Sequence, residues 1–173
     1  MNKKIGLFWL RDDFRVSKNN GLAEATLNHD QVVVFYLYKK LTYKYQEAQR
    51  WWLSKSLIHF RENLNKFNIN LEIIETESFK IFFEKLFKKN DFSFYWNKVY
   101  EPDFLKFDEY LVRNFKNKSI SFKICKGNTL NEINEIKKND GTPFKVFTPF
   151  WRTAEKYYIE KIPSKEKTLK KCL

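Results

Sequence analysis

The chain has 173 residues, 43% of them hydrophobic and 18% aromatic, with only four Gly and four Pro. That is apolar material enough for one packed domain, and it excludes fibrous and low-complexity architectures. Lys and Arg (33) exceed Asp and Glu (21) for a formal charge of +12, which admits a polyanionic partner. The charge is Lys-rich and spread along the chain, however, not gathered into one basic block. No apolar run approaches the roughly 20 residues that span a bilayer. The N-terminus shows no signal-peptide pattern, and two cysteines form no disulfide framework, so the expected setting is reducing, cytoplasmic and without a membrane.

The chain opens with the apolar run Ile5 to Leu10, which ends abruptly in Arg11-Asp12-Asp13-Phe14-Arg15. A strand apolar on both faces belongs inside a parallel sheet. Gly21 to Asn28 reads as a short helix. Gln31 to Tyr38, with Val-Val-Val-Phe-Tyr-Leu-Tyr, is β-branched and aromatic and predicts a second buried strand. Gln46 to Phe67 predicts a long helix: Trp52, Lys55/Ser56, His59/Phe60, Asn63/Leu64 and Phe67 step at three to four, with Leu53, Leu57 and Leu64 beside them. Asn70 to Glu75 predicts a third strand. Ser78 is placed to cap a helix through Lys89 whose buried stripe is Phe79, Phe82, Phe83, Leu86 and Phe87. Asp91 to Trp96 predicts a fourth strand. Pro102 opens a helix carrying Phe104, Leu105, Phe107, Leu111, Val112 and Phe115, since its missing N–H costs nothing there. Ser119 to Cys125 predicts a fifth strand. The rhythm stops after Gly127: Asn139 to Pro143 is a turn, Phe144 to Trp151 an irregular aromatic segment, Thr153 to Ile159 a helix, and Pro163 to Leu173 a Lys-rich tail.

Alternating strands and helices imply an α/β fold: a Rossmann-like, five-stranded parallel sheet of order 3-2-1-4-5, flanked by helices. In that order the first and fourth strands are neighbours. The loop Trp9 to Arg15 is then expected beside Trp96 to Glu101, in the crevice where such sheets bind ligands. Aromatic rings, an amide, arginines and carboxylates suit a flat heteroaromatic ligand. The plainer readings are that Trp9 is core and that Glu101 serves the helix dipole. No G-x-G-x-x-G follows the first strand, no P-loop occurs, and no nucleophile motif is present. His29 and His59 stand apart from each other and from the cysteines, so no metal site is expected.

Four stretches share a resemblance. Phe8-Trp9-Leu10-Arg11-Asp12-Asp13-Phe14-Arg15, Arg50-Trp51-Trp52-Leu53-Ser54-Lys55-Ser56-Leu57, Tyr95-Trp96-Asn97-Lys98-Val99-Tyr100-Glu101-Pro102 and Asp140-Gly141-Thr142-Pro143-Phe144-Lys145-Val146-Phe147-Thr148-Pro149-Phe150-Trp151-Arg152 occur in this order. They resemble motifs of the N-terminal, antenna-binding domain of the DNA photolyase and cryptochrome family. The resemblance implies an antenna domain over residues 1–130, then an aromatic loop and the start of a linker over 131–173. A helical FAD domain that would follow in the family is not expected within these residues. It further implies an antenna chromophore (a folate, or a flavin or deazaflavin) held by Trp9, Arg11, Arg50, Asn97 and Glu101. Damaged DNA and the helical domain are the implied partners, and repair by a deoxyribodipyrimidine photolyase the implied activity of the parent protein, the fragment alone being inactive. A cryptochrome-like photoreceptor and a free-standing small-molecule-binding module remain alternatives. The resemblance also places the aromatic side chains from Phe144 to Trp151 toward the partner domain, which predicts an exposed apolar patch there.

Overall fold

The structure, a computed structural model, describes residues 5–39, 47–88, 92–116, 120–127, 129–132, 135–160 and 167–173, with the side chains of 158–160 outside the description. Five parallel strands are present: β1 (Ile5–Leu10), β2 (Val32–Tyr38), β3 (Asn70–Glu75), β4 (Phe92–Asn97) and β5 (Ile120–Cys125). Their order is β3-β2-β1-β4-β5, as the alternating pattern predicts. β1 is the central strand, with Trp9 level with Phe35 of β2 on one side and with Trp96 of β4 on the other. Two compact units divide the chain, one of residues 1–127 with 167–173 and one of residues 128–166.

The apolar alternation of the strands feeds two separate cores in the first unit. Phe8, Leu10, Val32, Val34 and Leu71 pack under α1 (Asn20–Asn28) and α2 (Glu47–Asn65). Leu7, Trp9, Phe35, Phe94 and Trp96 pack under α3 (Phe79–Phe87) and α4 (Pro102–Phe115). The second core is largely aromatic because α3 and α4 deliver Phe79, Phe82, Phe83, Phe87, Phe104 and Phe107. In α2 the buried stripe is Leu53, Leu57, Phe60 and Leu64, one position out of phase with Trp52, Ser56 and His59. Trp51 and Trp52 consequently stand 61% and 68% exposed. Ser78 occupies the N-cap position of α3 without a side-chain cap bond, and the Thr76 hydroxyl accepts from Ser78 N–H and donates to Ser78 O.

In the second unit, residues 139–141 form the expected turn, with Gly141 at φ +79°. Asp140 accepts from both Thr142 N–H (2.9 Å) and its hydroxyl (2.6 Å). Helix α5 (Phe147–Glu160) begins inside the aromatic segment that was expected to be irregular. Pro149 sits in its first turn, where it is tolerated. Val146, Phe147 and Trp151 are exposed, the last two with stacked rings 6.2 Å apart, so the aromatic stretch does present an apolar patch.

The C-terminal residues differ from the solvated tail that their lysines suggest. Leu169 and Cys172 are spaced to face inward, and both join the core under α1 and α2. Lys167 pairs with Glu24, Lys170 N–H donates to the Thr26 hydroxyl (3.1 Å), Cys172 N–H donates to Phe67 O (2.9 Å), and Asn68 donates to Cys172 O (3.1 Å). Pro163 and the residues to 166 lie outside the described residues.

One buried charge pair joins β1 to α4. Arg11, 7% exposed at the end of β1, donates through both terminal nitrogens to the Asp108 carboxylate, with Nη1 at 3.2 Å. Trp96 Nε1 donates to the same carboxylate at 2.9 Å, which brings in β4. The guanidinium carbon lies 3.9 Å from the Trp9 ring centroid.

Asp108→Asn leaves the guanidinium buried without its counter-charge, and loss of one partner of a buried pair costs about 3–5 kcal/mol. Arg11→Met together with Asp108→Asn recovers much of that loss in urea unfolding, whereas equal losses in the single and double variants would show the pair to be energetically idle. A chain ended at Glu166 loses the burial of two side chains, about 2–4 kcal/mol, and an unchanged urea midpoint would refute the role of the C-terminal strap.

Candidate functional site

The sheet opens at the carboxyl ends of β1 and β2 into a cavity of about 510 Å³, within the size range of small-molecule sites. Its floor is Trp9, Leu10 and Arg11 from β1 and its exit, with Tyr36, Leu37 and Tyr38 from β2. Ser78, Phe79 and Lys80 at the start of α3 form one wall; Glu101, Asp103, Phe104 and Phe107 at the start of α4 form the other. Asp12 and Lys39 complete the rim. The geometry follows from topology. β1 and β2 share helices on one face, while α3 and α4 return across the other and start above the ends of β1 and β2.

The floor is rigid. Trp9 is only 2% exposed and meets Phe79, Phe83, Trp96, Phe104 and Phe107 at ring-centroid distances of 4.8–6.4 Å. Arg11 is fixed by Asp108, and its Nε is buried with no hydrogen-bond partner among the described residues. Burial lowers the Arg11 guanidinium from its ordinary value, while the Asp108 carboxylate pulls the other way. Tyr38 donates to Glu75 at 2.9 Å, and that bond raises its phenol above the ordinary value. Glu101 is the N-cap residue of α4 but makes no side-chain cap bond, so its carboxylate is not consumed by the helix.

The five residues expected at the site separate into three groups. Trp9, Arg11 and Glu101 come together on the cavity. Asn97 does not line it. Its amide nitrogen donates to Asn19 Oδ1 (2.9 Å) and Asp13 Oδ2 (3.2 Å), and its oxygen accepts from Gly21 N–H (3.0 Å). Asn97 thereby fills the space between the exits of β1 and β4, where the ligand crevice was expected, and pins the start of α1. Gly21 is required there, since a Cβ would lie 2.5 Å from Asn97 Oδ1. Arg50 is exposed in the first turn of α2 and is not among the lining residues.

Sequence reasoning did not single out Asp108, Tyr36, Phe79 or Lys39. Asp108 had a signal: it interrupts the apolar stripe Phe104, Phe107, Leu111 and Phe115, and a carboxylate on a buried stripe needs a partner. Tyr36 and Phe79 had none, because each reads as ordinary core. Among the described residues no group of His, Cys, Asp or Glu is placed to hold a metal. No helix among them is long and apolar enough to cross a membrane.

Comparison with known proteins agrees with this architecture. The chain is 27% identical over 149 residues to a deoxyribodipyrimidine photo-lyase of Agrobacterium fabrum, covering 86% of this chain and 31% of that protein. It is 26% identical over 165 residues to cryptochrome-2 of Arabidopsis thaliana, covering 94% and 27%. A class III photolyase structure from Agrobacterium tumefaciens superposes with a TM-score of 0.80 at 25% identity, over 98% of this chain and 36% of that one. A photolyase structure from Sulfolobus tokodaii, described with two FAD molecules and a novel light-harvesting cofactor, shares the fold with a TM-score of 0.70 at 19% identity, over 97% and 37%. The chain thus spans about a third of the length of these relatives. With the sequence model of the DNA photolyase family matching residues 6–167, the chain belongs to that family and corresponds to its N-terminal domain.

Proposed function

We propose that this chain is the antenna-binding domain of a deoxyribodipyrimidine photolyase, with residues 1–130 as the domain and 131–173 leading toward a helical FAD-binding domain. The observation that carries the reading is the aromatic cavity at the ends of β1 and β2, with carboxylates on its rim. The residues present fit a flat heteroaromatic chromophore, a folate or a flavin or deazaflavin. The buried Arg11 Nε is an orphan donor in the floor, Phe79 and Phe104 supply apolar ring faces, and Glu101 supplies an acceptor for ring N–H groups. When bound, such a chromophore absorbs near-ultraviolet or blue light and passes the excitation to FAD.

The residues of the chain have separate tasks in this reading. Trp9 and Arg11 set a packed floor: Asp108 holds the guanidinium, and the Trp9 ring lies against it. Glu101, freed from helix capping, reads the ring edge. Asn97 acts as a positioning residue that holds the β1 exit against α1 and β4. Arg50 has a ligand role only if it reaches the cavity from the start of α2. Damaged DNA, in this reading, is met by the parent protein, in the cytoplasm. The similarity to cryptochrome-2 favours a second reading, a blue-light photoreceptor, which uses the same antenna cavity.

A fluorescence and absorption titration with a reduced folate, FMN and a deazaflavin tests the proposal. One ligand binds saturably, and Glu101→Gln weakens it about tenfold, the loss of one charge-assisted hydrogen bond. Absence of saturable binding by all three would overturn the antenna role for this chain.

A further inference from the structure

The charges on the cavity rim are segregated by the strand order. Asp12 follows β1, and Glu101 and Asp103 start α4, so the β1/α4 side carries three carboxylates. Lys39 follows β2 and Lys80 lies in the first turn of α3, so the β2/α3 side carries two ammonium groups and no carboxylate among its lining residues. Lys39 Nζ lies 5.4 Å over the Phe79 ring, and Lys80 Nζ is 4.0 Å from Glu84 with its side chain 60% exposed. An exposed pair at that distance holds weakly, and both side chains are long enough to turn toward a ligand.

We infer that the cavity takes a bipolar ligand: a fused-ring head whose N–H groups face Glu101 and Asp103, and an anionic tail lying toward Lys39 and Lys80. The inference rests on the antenna reading and narrows it. It selects chromophores that carry a phosphate or a carboxylate tail over those whose tail is neutral. The reverse orientation sets an anion against three carboxylates, with the Arg11 charge already engaged by Asp108, and the ring N–H groups against ammonium donors, so the rim favours one direction. The aromatic floor between the two sides accounts for the head, since Trp9, Phe79 and Phe104 converge there.

Matched ligands that differ only in tail charge test this. FMN is compared with riboflavin for a phosphate tail, and folic acid with its dimethyl ester for a carboxylate tail, each by fluorescence titration. At least one charged member binds about tenfold or more tighter than its neutral counterpart, and the preference shrinks as salt is raised. Lys39→Gln with Lys80→Gln abolishes the preference; both positions are exposed, so the core is untouched. A preference in the flavin pair alone assigns the tail as phosphate, and in the folate pair alone as carboxylate. Equal affinities within both pairs, or a preference that survives the double substitution, would overturn the inference while leaving the antenna reading intact. Failure of every ring to bind would overturn the antenna reading and this inference with it.

Discussion

The architecture of the cavity depends on a charge buried where charge is costly. Arg11 leaves the central strand and is covered at once by α4, so its guanidinium must find a counter-charge inside the protein. Asp108 supplies it from the middle of an apolar stripe, two turns into α4, and accepts from Trp96 as well. β1, distant in sequence, is tied to the consecutive elements β4 and α4 at one carboxylate. The tie fixes the start of α4 above the end of β1, and with it the position of Glu101. A hydrophobic contact would hold α4 against the sheet with freedom to slide. A bidentate pair with a third donor leaves one register.

The same economy explains where the cavity is. A doubly wound sheet has its opening at the point where the helices change faces, between β1 and β4. Here that point is closed by a side chain: Asn97 uses its oxygen and its amide nitrogen on Gly21, Asn19 and Asp13. The amide spends both of its donors and one acceptor position on these three partners, so it has no N–H left for a ligand edge. The open volume is displaced by one strand, to the ends of β1 and β2, where α3 and α4 start apart. The motif that contains Asn97 and Glu101 therefore places one residue in packing and, four residues on, one at the cavity.

Much of the fold was legible in the sequence, and the reasons are local. β1, β2 and the start of α4 are recognisable from unbroken apolar runs and from Pro102, and the strand order follows from the alternation. The phase of α2 was not legible. Its Trp51 and Trp52 are the most hydrophobic residues of the helix, yet the stripe of Leu53, Leu57, Phe60 and Leu64 is what the sheet covers. A tail of lysines concealed Leu169 and Cys172, because two inward residues spaced by three give no detectable period. At the site, Trp9, Arg11 and Glu101 were found through strand ends and motif resemblance. Asp108 was not singled out, and Tyr36 and Phe79 fell within buried elements, since a wall of a cavity and a wall of a core have the same composition.

The formal charge of +12 also takes on a different meaning once the rim is known. A strongly positive protein concentrates anions of every size around it, nucleic acids and small chromophores alike. Charge by itself therefore selects neither. The rim does discriminate. A nucleic-acid backbone laid across the mouth would set successive phosphates against Asp12, Glu101 and Asp103, and the repulsion would recur along its length. A small molecule with one anionic end meets Lys39 and Lys80 without crossing the acidic side. On the inference drawn above, the global field draws anionic ligands to the protein, and the local arrangement of three carboxylates favours those with a single charged end.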